Sequence, residues 1–149
     1  MKIYNLIVVF LCLSSISFGQ CKGDCENGSG KYVFPSGDKY DGEFLDGRFD
    51  GKGVYVWIDG TKYDGEWVNG RKEGYGILTN KKPKKIESMI SYPHIYNGYF
   101  KNGRKDGEGM QSYYDFRKWS GIYKDGEKIK GHYNTENYYE PNDIVGNNE

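Results

Sequence analysis

Alanine is absent from this chain, and histidine, proline and cysteine are scarce, with 2 His, 4 Pro and 3 Cys in 149 residues. Without alanine, and with 22 glycines, long helices are disfavoured, because alanine is the strongest helix former and glycine is weaker than all but proline. Only His94 and His132 are available as neutral-pH bases, and nothing in the sequence sets either beside a nucleophile, so a hydrolase triad finds no support. The 21 basic and 21 acidic residues cancel to a formal charge of +0, which leaves no global field for nucleic acid or a membrane. The one nearly continuous apolar run, Ile3 to Leu13, is too short for a bilayer span of about 20 residues.

That run fits an export signal instead. Lys2 supplies a positive start, and Ser17-Phe18-Gly19 puts small residues at the −3 and −1 positions of a cleavage site. Residues 1–19 are therefore expected to be a signal peptide, with Gln20 as the mature N-terminus and an exported destination: periplasm, outer-membrane surface or secretion. Two alternatives stand beside this, an uncleaved anchor and a lipid on Cys21. For the latter, Gln20 occupies the place where a lipobox has Gly, Ala or Ser. Export would remove Cys12 and leave Cys21 and Cys25. An even pair in an oxidising compartment is expected to form a disulfide. A metal or redox role fits less well, because the spacing is not C-x-x-C and no further thiol completes a tetrahedral site.

What the chain has in abundance is a repeated phrase. Tyr40-Asp41-Gly42-Glu43-Phe44 returns 23 residues later as Tyr63-Asp64-Gly65-Glu66-Trp67. It returns again as Tyr96-Asn97-Gly98-Tyr99-Phe100, and in worn form as Trp119-Ser120-Gly121-Ile122-Tyr123. Such a period means stacked supersecondary units that bury their apolar faces on one another. Asx-Gly pairs at 46–47, 59–60, 69–70, 102–103 and 125–126 predict type I′ hairpin turns with φ > 0 at both central positions. Between them the chain alternates with period two. Tyr40, Gly42 and Phe44 share one face, as do Gly51, Gly53, Tyr55 and Trp57 on the return strand. The expectation is all-β: about ten strands in one elongated, single-layer antiparallel meander, roughly 45–50 Å long at ~4.8 Å per strand. Gly51 and Gly53, echoed at 74 and 76 and at 107 and 109, are expected to leave room for rings such as Phe44 and Trp67.

The domain plan follows. Residues 20–39 form a cap with the cysteine pair and half a repeat. The array covers 40–133 as units 40–62, 63–95, 96–118 and a degenerate 119–133. Residues 134–149 form a polar, flexible tail. The unit 63–95 carries ten extra residues between Leu78 and Ile95, read as a longer loop on one edge. In the last unit Lys130 stands where glycine is expected, and Gly131 comes one residue late.

These phrases resemble the MORN (membrane occupation and recognition nexus) repeat, whose pattern is roughly Tyr-x-Gly-x-Trp/Phe followed by Gly and Gly-x-Gly. The resemblance covers about Cys25 to Gly131. Cys21, Gly23, Asp24 and Cys25 are similar to the segment that often opens exported bacterial members, one spacer shorter. The resemblance implies a tandem hairpin array, and it implies interaction, dimerisation or lipid binding rather than catalysis.

No catalytic, cofactor or small-molecule motif emerges from the residues. Asp41 with Glu43, and Asp64 with Glu66, lie on one strand face, where an acid pair or a calcium ladder competes with a solvated surface. Gly51-Lys52-Gly53 lacks the Gly-Lys-Ser/Thr ending of a phosphate loop. Two partner surfaces remain. The ring stripe, with Tyr40, Phe44, Tyr63, Trp67, Tyr96 and Phe100 at its centre, is read as a face for a protein partner or for self-association, aided by an open sheet edge. The alternative is a peripheral contact with anionic lipid through Lys81, Lys82, Lys84 and Lys85.

Overall fold

The computed structural model describes residues 19–80, 93–114 and 116–134. The expected signal peptide falls outside them but for Gly19, the tail but for Asn134, and the Lys81–Lys85 cluster entirely. Ten strands follow one another: β1 (Gln20–Gly23), β2 (Ser29–Val33), β3 (Lys39–Leu45), β4 (Arg48–Val56), β5 (Lys62–Val68), β6 (Arg71–Thr79), β7 (Pro93–Lys101), β8 (Arg104–Tyr113), β9 (Lys118–Lys124) and β10 (Glu127–Asn134). They form one ten-stranded sheet in which spatial order equals sequence order, and every neighbouring pair is antiparallel. The single-layer meander predicted from the repeat is what the chain forms.

The two edges of the ribbon use different turns. Along one edge, Asp46-Gly47, Asn69-Gly70, Asn102-Gly103 and Asp125-Gly126 all have positive φ at both positions, the type I′ geometry that matches strand twist. Asp59-Gly60 departs from that expectation. Gly60 has φ 90° but Asp59 does not share it, and the Trp57 amide donates to the Thr61 carbonyl at 2.9 Å. That is a three-residue loop with glycine in the left-handed place. Phe34 to Asp38 closes in the same way with Gly37 at φ 93°, and Tyr113 to Arg117 does so with Phe116 at φ 67°. Thus the opposite edge carries the longer loops. The β6–β7 connection is also at that edge, where Thr79 pairs with Ile95; the expected ten-residue insertion falls on residues 81–92, outside the described residues.

The paired glycines have separate tasks, which corrects the simple ring-room reading. Gly53, Gly76 and Gly109 accommodate rings, but the rings are Tyr40, Tyr63 and Tyr96. A Cβ on Gly76 would lie 2.6 Å from ring carbons of Tyr63. Each tyrosine hydroxyl then donates to a carbonyl three residues on: Tyr40 to Glu43 at 2.9 Å, Tyr63 to Glu66 at 3.1 Å, Tyr96 to Tyr99 at 3.0 Å. Gly51, Gly74 and Gly107 instead occupy bulges with φ 95°, 58° and 103°. In the first bulge Gly42 pairs with Gly53 while Phe44 pairs with Phe49, so Asp50–Lys52 face Glu43 alone. Bulges of this kind bend and twist the sheet, and their repetition curls the ring face inward.

The worn last unit keeps its register by shortening its bulge. Lys128 pairs with Tyr123 and Gly131 with Gly121, one extra residue where earlier units have two. Gly131 thereby falls opposite Gly121 despite its late position, and the Trp119 ring lies across it, 2.6 Å from a Cβ placed there. At the other end Cys21 and Cys25 form a disulfide that closes the entry to the β1–β2 hairpin.

Candidate functional site

The six rings expected to present a binding face are the floor of that face. Tyr40, Phe44, Tyr63, Trp67, Tyr96 and Phe100 are 0–6% exposed. They pack edge to face in a continuous row, for example Tyr63 with Trp67 at 5.1 Å and with Phe100 at 5.0 Å, a geometry favoured by ring quadrupoles. The Trp67 indole N–H donates to the Gly53 carbonyl at 3.0 Å. Burial pushes the hydroxyls of Tyr40, Tyr63 and Tyr96 upward in pKa, as desolvation disfavours the phenolate. A second tier of side chains rests on this floor.

That tier changes character along the ribbon. At the N-terminal end Tyr32, Phe34, Phe44, Phe49 and Arg48 line a groove of about 440 Å³. Phe49 stacks on Tyr40 at 3.8 Å, and the half-buried Tyr55 and Trp57 continue the wall, 4.6 Å apart. A concave apolar surface therefore exists on the ring face at this end. The Tyr55 hydroxyl donates to Asp38 at 3.1 Å, while burial first and this carboxylate second push its pKa up to about 12.

In every later unit the Phe49 position holds lysine: Lys72, Lys105 and Lys128. Lys72 Nζ lies 5.3 Å from the Phe100 ring centre, Lys105 Nζ 4.4 Å from that of Tyr96, and Lys128 Nζ 4.8 Å from that of Trp119. Each ammonium thus sits on the negative face of a ring. Lys105 Nζ also donates to Gln111 Oε1 at 2.7 Å. Gln111 is buried at 6%, donates from Nε2 to the Tyr113 hydroxyl at 2.8 Å and accepts from the Tyr123 hydroxyl at 3.2 Å. Lys128 Nζ donates to the Tyr113 hydroxyl at 2.5 Å. Burial lowers the pKa of Lys72. Burial, with Lys128 and Lys72 adding like charge, brings Lys105 down to about 8. The sequence reading missed these residues, although Gly-Arg-Lys at 70–72 and 103–105 and Gly-Glu-Lys at 126–128 recur in phase two residues after each turn begins.

The carboxylates serve the backbone. Glu43 accepts from the Lys52 amide at 3.0 Å and Glu66 from the Tyr75 amide at 3.4 Å, so each closes a bulge. Asp50 and Glu73 accept from the turn amides of Asn69 and Asn102 in the following unit, at 3.1 and 2.8 Å. Asp41 pairs with Lys31 at 2.5 Å and Asp64 with Lys62 at 3.0 Å. Among the described residues no group of three or more His, Cys, Asp and Glu is placed to hold a metal ion. His94 stacks on Tyr114 at 4.5 Å, and His132 lies on the outer edge strand facing Ser120. The structure brings neither to the other, nor to an acid–nucleophile pair.

The model of the MORN repeat matches residues 26–39, 40–62, 63–81 and 96–116, together more than half of the chain. Two of these boundaries coincide with the period read from Tyr40 and Tyr63. The β9–β10 hairpin lies beyond the matched segments, consistent with its Trp119 lead and shortened bulge. No curated protein matches the chain. The repeat in phase, the hairpin meander and the matched segments together place this chain in the MORN repeat family.

Proposed function

We propose that this chain is a non-catalytic interaction module, exported to the cell envelope, that holds a protein partner against its concave ring face. MORN repeats are in general interaction or membrane-binding modules. The observation that carries the choice of face is the groove above the buried floor. Phe34 and Phe49 line it with half-buried rings, Tyr55 and Trp57 pack beside them, and concave, ring-lined surfaces of this kind favour partner contacts. The outer face mixes the Lys31–Asp41 and Lys62–Asp64 ion pairs and bulge-closing carboxylates with single exposed apolar side chains such as Tyr75, Ile77, Tyr99 and Ile122, and the groove lies on the ring face. The edge strand β10 is exposed along its length but carries Glu127, Lys128, Lys130 and His132, and charges on an edge oppose strand addition.

The test uses half-buried rings beside the groove, with urea melts to show that each variant is folded. Trp57→Ala and Tyr55→Ala should abolish capture of the partner while circular dichroism stays unchanged. Ile77→Ala, on the outer face, should capture normally. Capture unaffected by the first two and lost with the third would refute the choice of face. Tyr63 and Trp67 are unsuitable for this test, being buried to 0% and 5% exposure.

A further inference from the structure

We infer that the C-terminal half of the ring face, which carries Lys72, Lys105 and Lys128 over its rings, is a binding site for an extended acidic peptide whose carboxylates recur at every third residue. This rests on the reading that the ring face takes a protein, and it supplies the chemistry of what is bound. The three lysines occupy equivalent positions on β6, β8 and β10, every second strand of the sheet. Neighbouring strands lie ~4.8 Å apart, so the charges are spaced by roughly 10 Å along a line of about 20 Å.

The row lacks counter-ions. The ion pairs among the described residues are Lys31–Asp41, Lys62–Asp64 and Lys124–Asp106, none of them in the groove. The ammoniums of the row meet rings, Tyr113 and Tyr133 hydroxyls and Gln111 Oε1. Burial of Lys105 first, and the like charges of Lys128 and Lys72 after it, disfavour its ammonium form. An arriving anion relieves that repulsion and completes each site with a charge-assisted bond.

The spacing selects the ligand. A polyproline II segment rises ~3.1 Å per residue with three residues per turn, so same-face side chains recur every ~9.3 Å. That matches the lysine row. An extended β-strand offers same-face intervals of ~6.7 or ~13 Å and does not match. Ring-lined grooves also suit polyproline II ligands, whose conformation is already formed. The row continues from Lys72 to Phe49, which predicts an apolar residue or proline three positions beyond the last acid. A single lipid headgroup, by contrast, concentrates its charge at one point and would engage one lysine of a 20 Å line.

The experiment is fluorescence anisotropy with the full chain and labelled proline-rich peptides. One peptide carries Glu at positions 1, 4 and 7 and Leu at 10; an isomer has the three Glu contiguous, and a third has Gln throughout. The spaced peptide should bind at least ~10-fold more tightly than either control and weaken steeply with salt. Lys105→Gln and Lys128→Gln should each weaken it ~5–10-fold, while Lys39→Gln on the outer face leaves it unchanged. Replacing the middle Glu of the peptide by Gln should produce the same loss without altering the protein, so a folding defect is not needed to read the result. Equal binding of spaced and contiguous peptides, or indifference to both Lys105→Gln and Lys128→Gln, overturns the proposal. So does binding to phosphatidylserine vesicles that is lost in the same variants when no peptide binds. If the Gln peptide binds as well as the Glu peptide and Trp57→Ala abolishes both, the acidic site is wrong while the ring face stands as a protein surface.

Discussion

Gly76→Ala isolates the interaction on which the array depends. A Cβ at Gly76 would stand 2.6 Å from Cζ and Cε2 of Tyr63, so the ring must leave its seat. It cannot slide, because Trp67 and Phe100 meet it edge-on at 5.1 and 5.0 Å. Tyr63 is 0% exposed, and deleting a buried aromatic side chain costs ~3–5 kcal/mol. Partial expulsion with loss of the hydroxyl bond to Glu66 should forfeit roughly 3 kcal/mol. In a Tyr63→Ala background the seat is already empty, and Gly76→Ala should cost nearly nothing. The coupling between the two substitutions should therefore approach 3 kcal/mol, at the top of the range for residues in contact. Urea melts followed by circular dichroism and tryptophan fluorescence on wild type, both single variants and the double variant measure it. Additive losses in the double variant would refute ring-over-glycine packing as the reason for these glycines.

Three further outcomes follow from the same geometry. Phe116 is 79% exposed with φ 67° where Gly37 and Gly60 stand in other units, so Phe116→Gly should stabilise by ~0.5–1 kcal/mol, read from the urea midpoint. Removing the Cys21–Cys25 disulfide with a double serine variant should cost about 2 kcal/mol, given the small loop it closes. Hydrogen exchange should locate that loss in β1 and β2 and leave the ring row protected. Finally, Lys105 has a folded pKa of about 8 against 10.5, so above pH ~8 the unfolded chain binds more protons and stability rises with pH. Tyr40, Tyr63, Tyr96 and Tyr123 have raised pKa values and reverse the trend once unfolded tyrosines ionise near pH ~10. Melts between pH 7 and 10 should show the rise in wild type and a smaller one in Lys105→Gln, where the depressed Lys72 still contributes.

The period and the alternation were legible because each is carried by residue types with one physical meaning. Tyr-x-Gly-x-Phe alternates with period two, and Asn69-Gly70 or Asp46-Gly47 accepts a turn that few other pairs accept. From these the strand order follows. What was not legible depends on register. Gly51 and Gly53 look alike in the sequence, yet one takes a bulge and the other a ring, and only the pairing of Phe44 with Phe49 separates them. Asp59-Gly60 reads like the other Asx-Gly pairs, but its loop is set by hydrogen bonds between Trp57 and Thr61. The lysine row was hidden for a different reason. Lys72, Lys105 and Lys128 read as polar residues after a turn, yet the turn pairs them with Trp67, Phe100 and Tyr123, so their long stems take the place of Phe49 on the ring floor.

The most direct test of the partner face is site-specific photo-crosslinking in the cells that make this protein. A benzoylphenylalanine is placed at position 57 in one full-length chain and at position 77 in another. The ring-groove account predicts a discrete protein adduct from position 57 and none from position 77. An adduct from position 77 alone would contradict it and move the interface to the outer face.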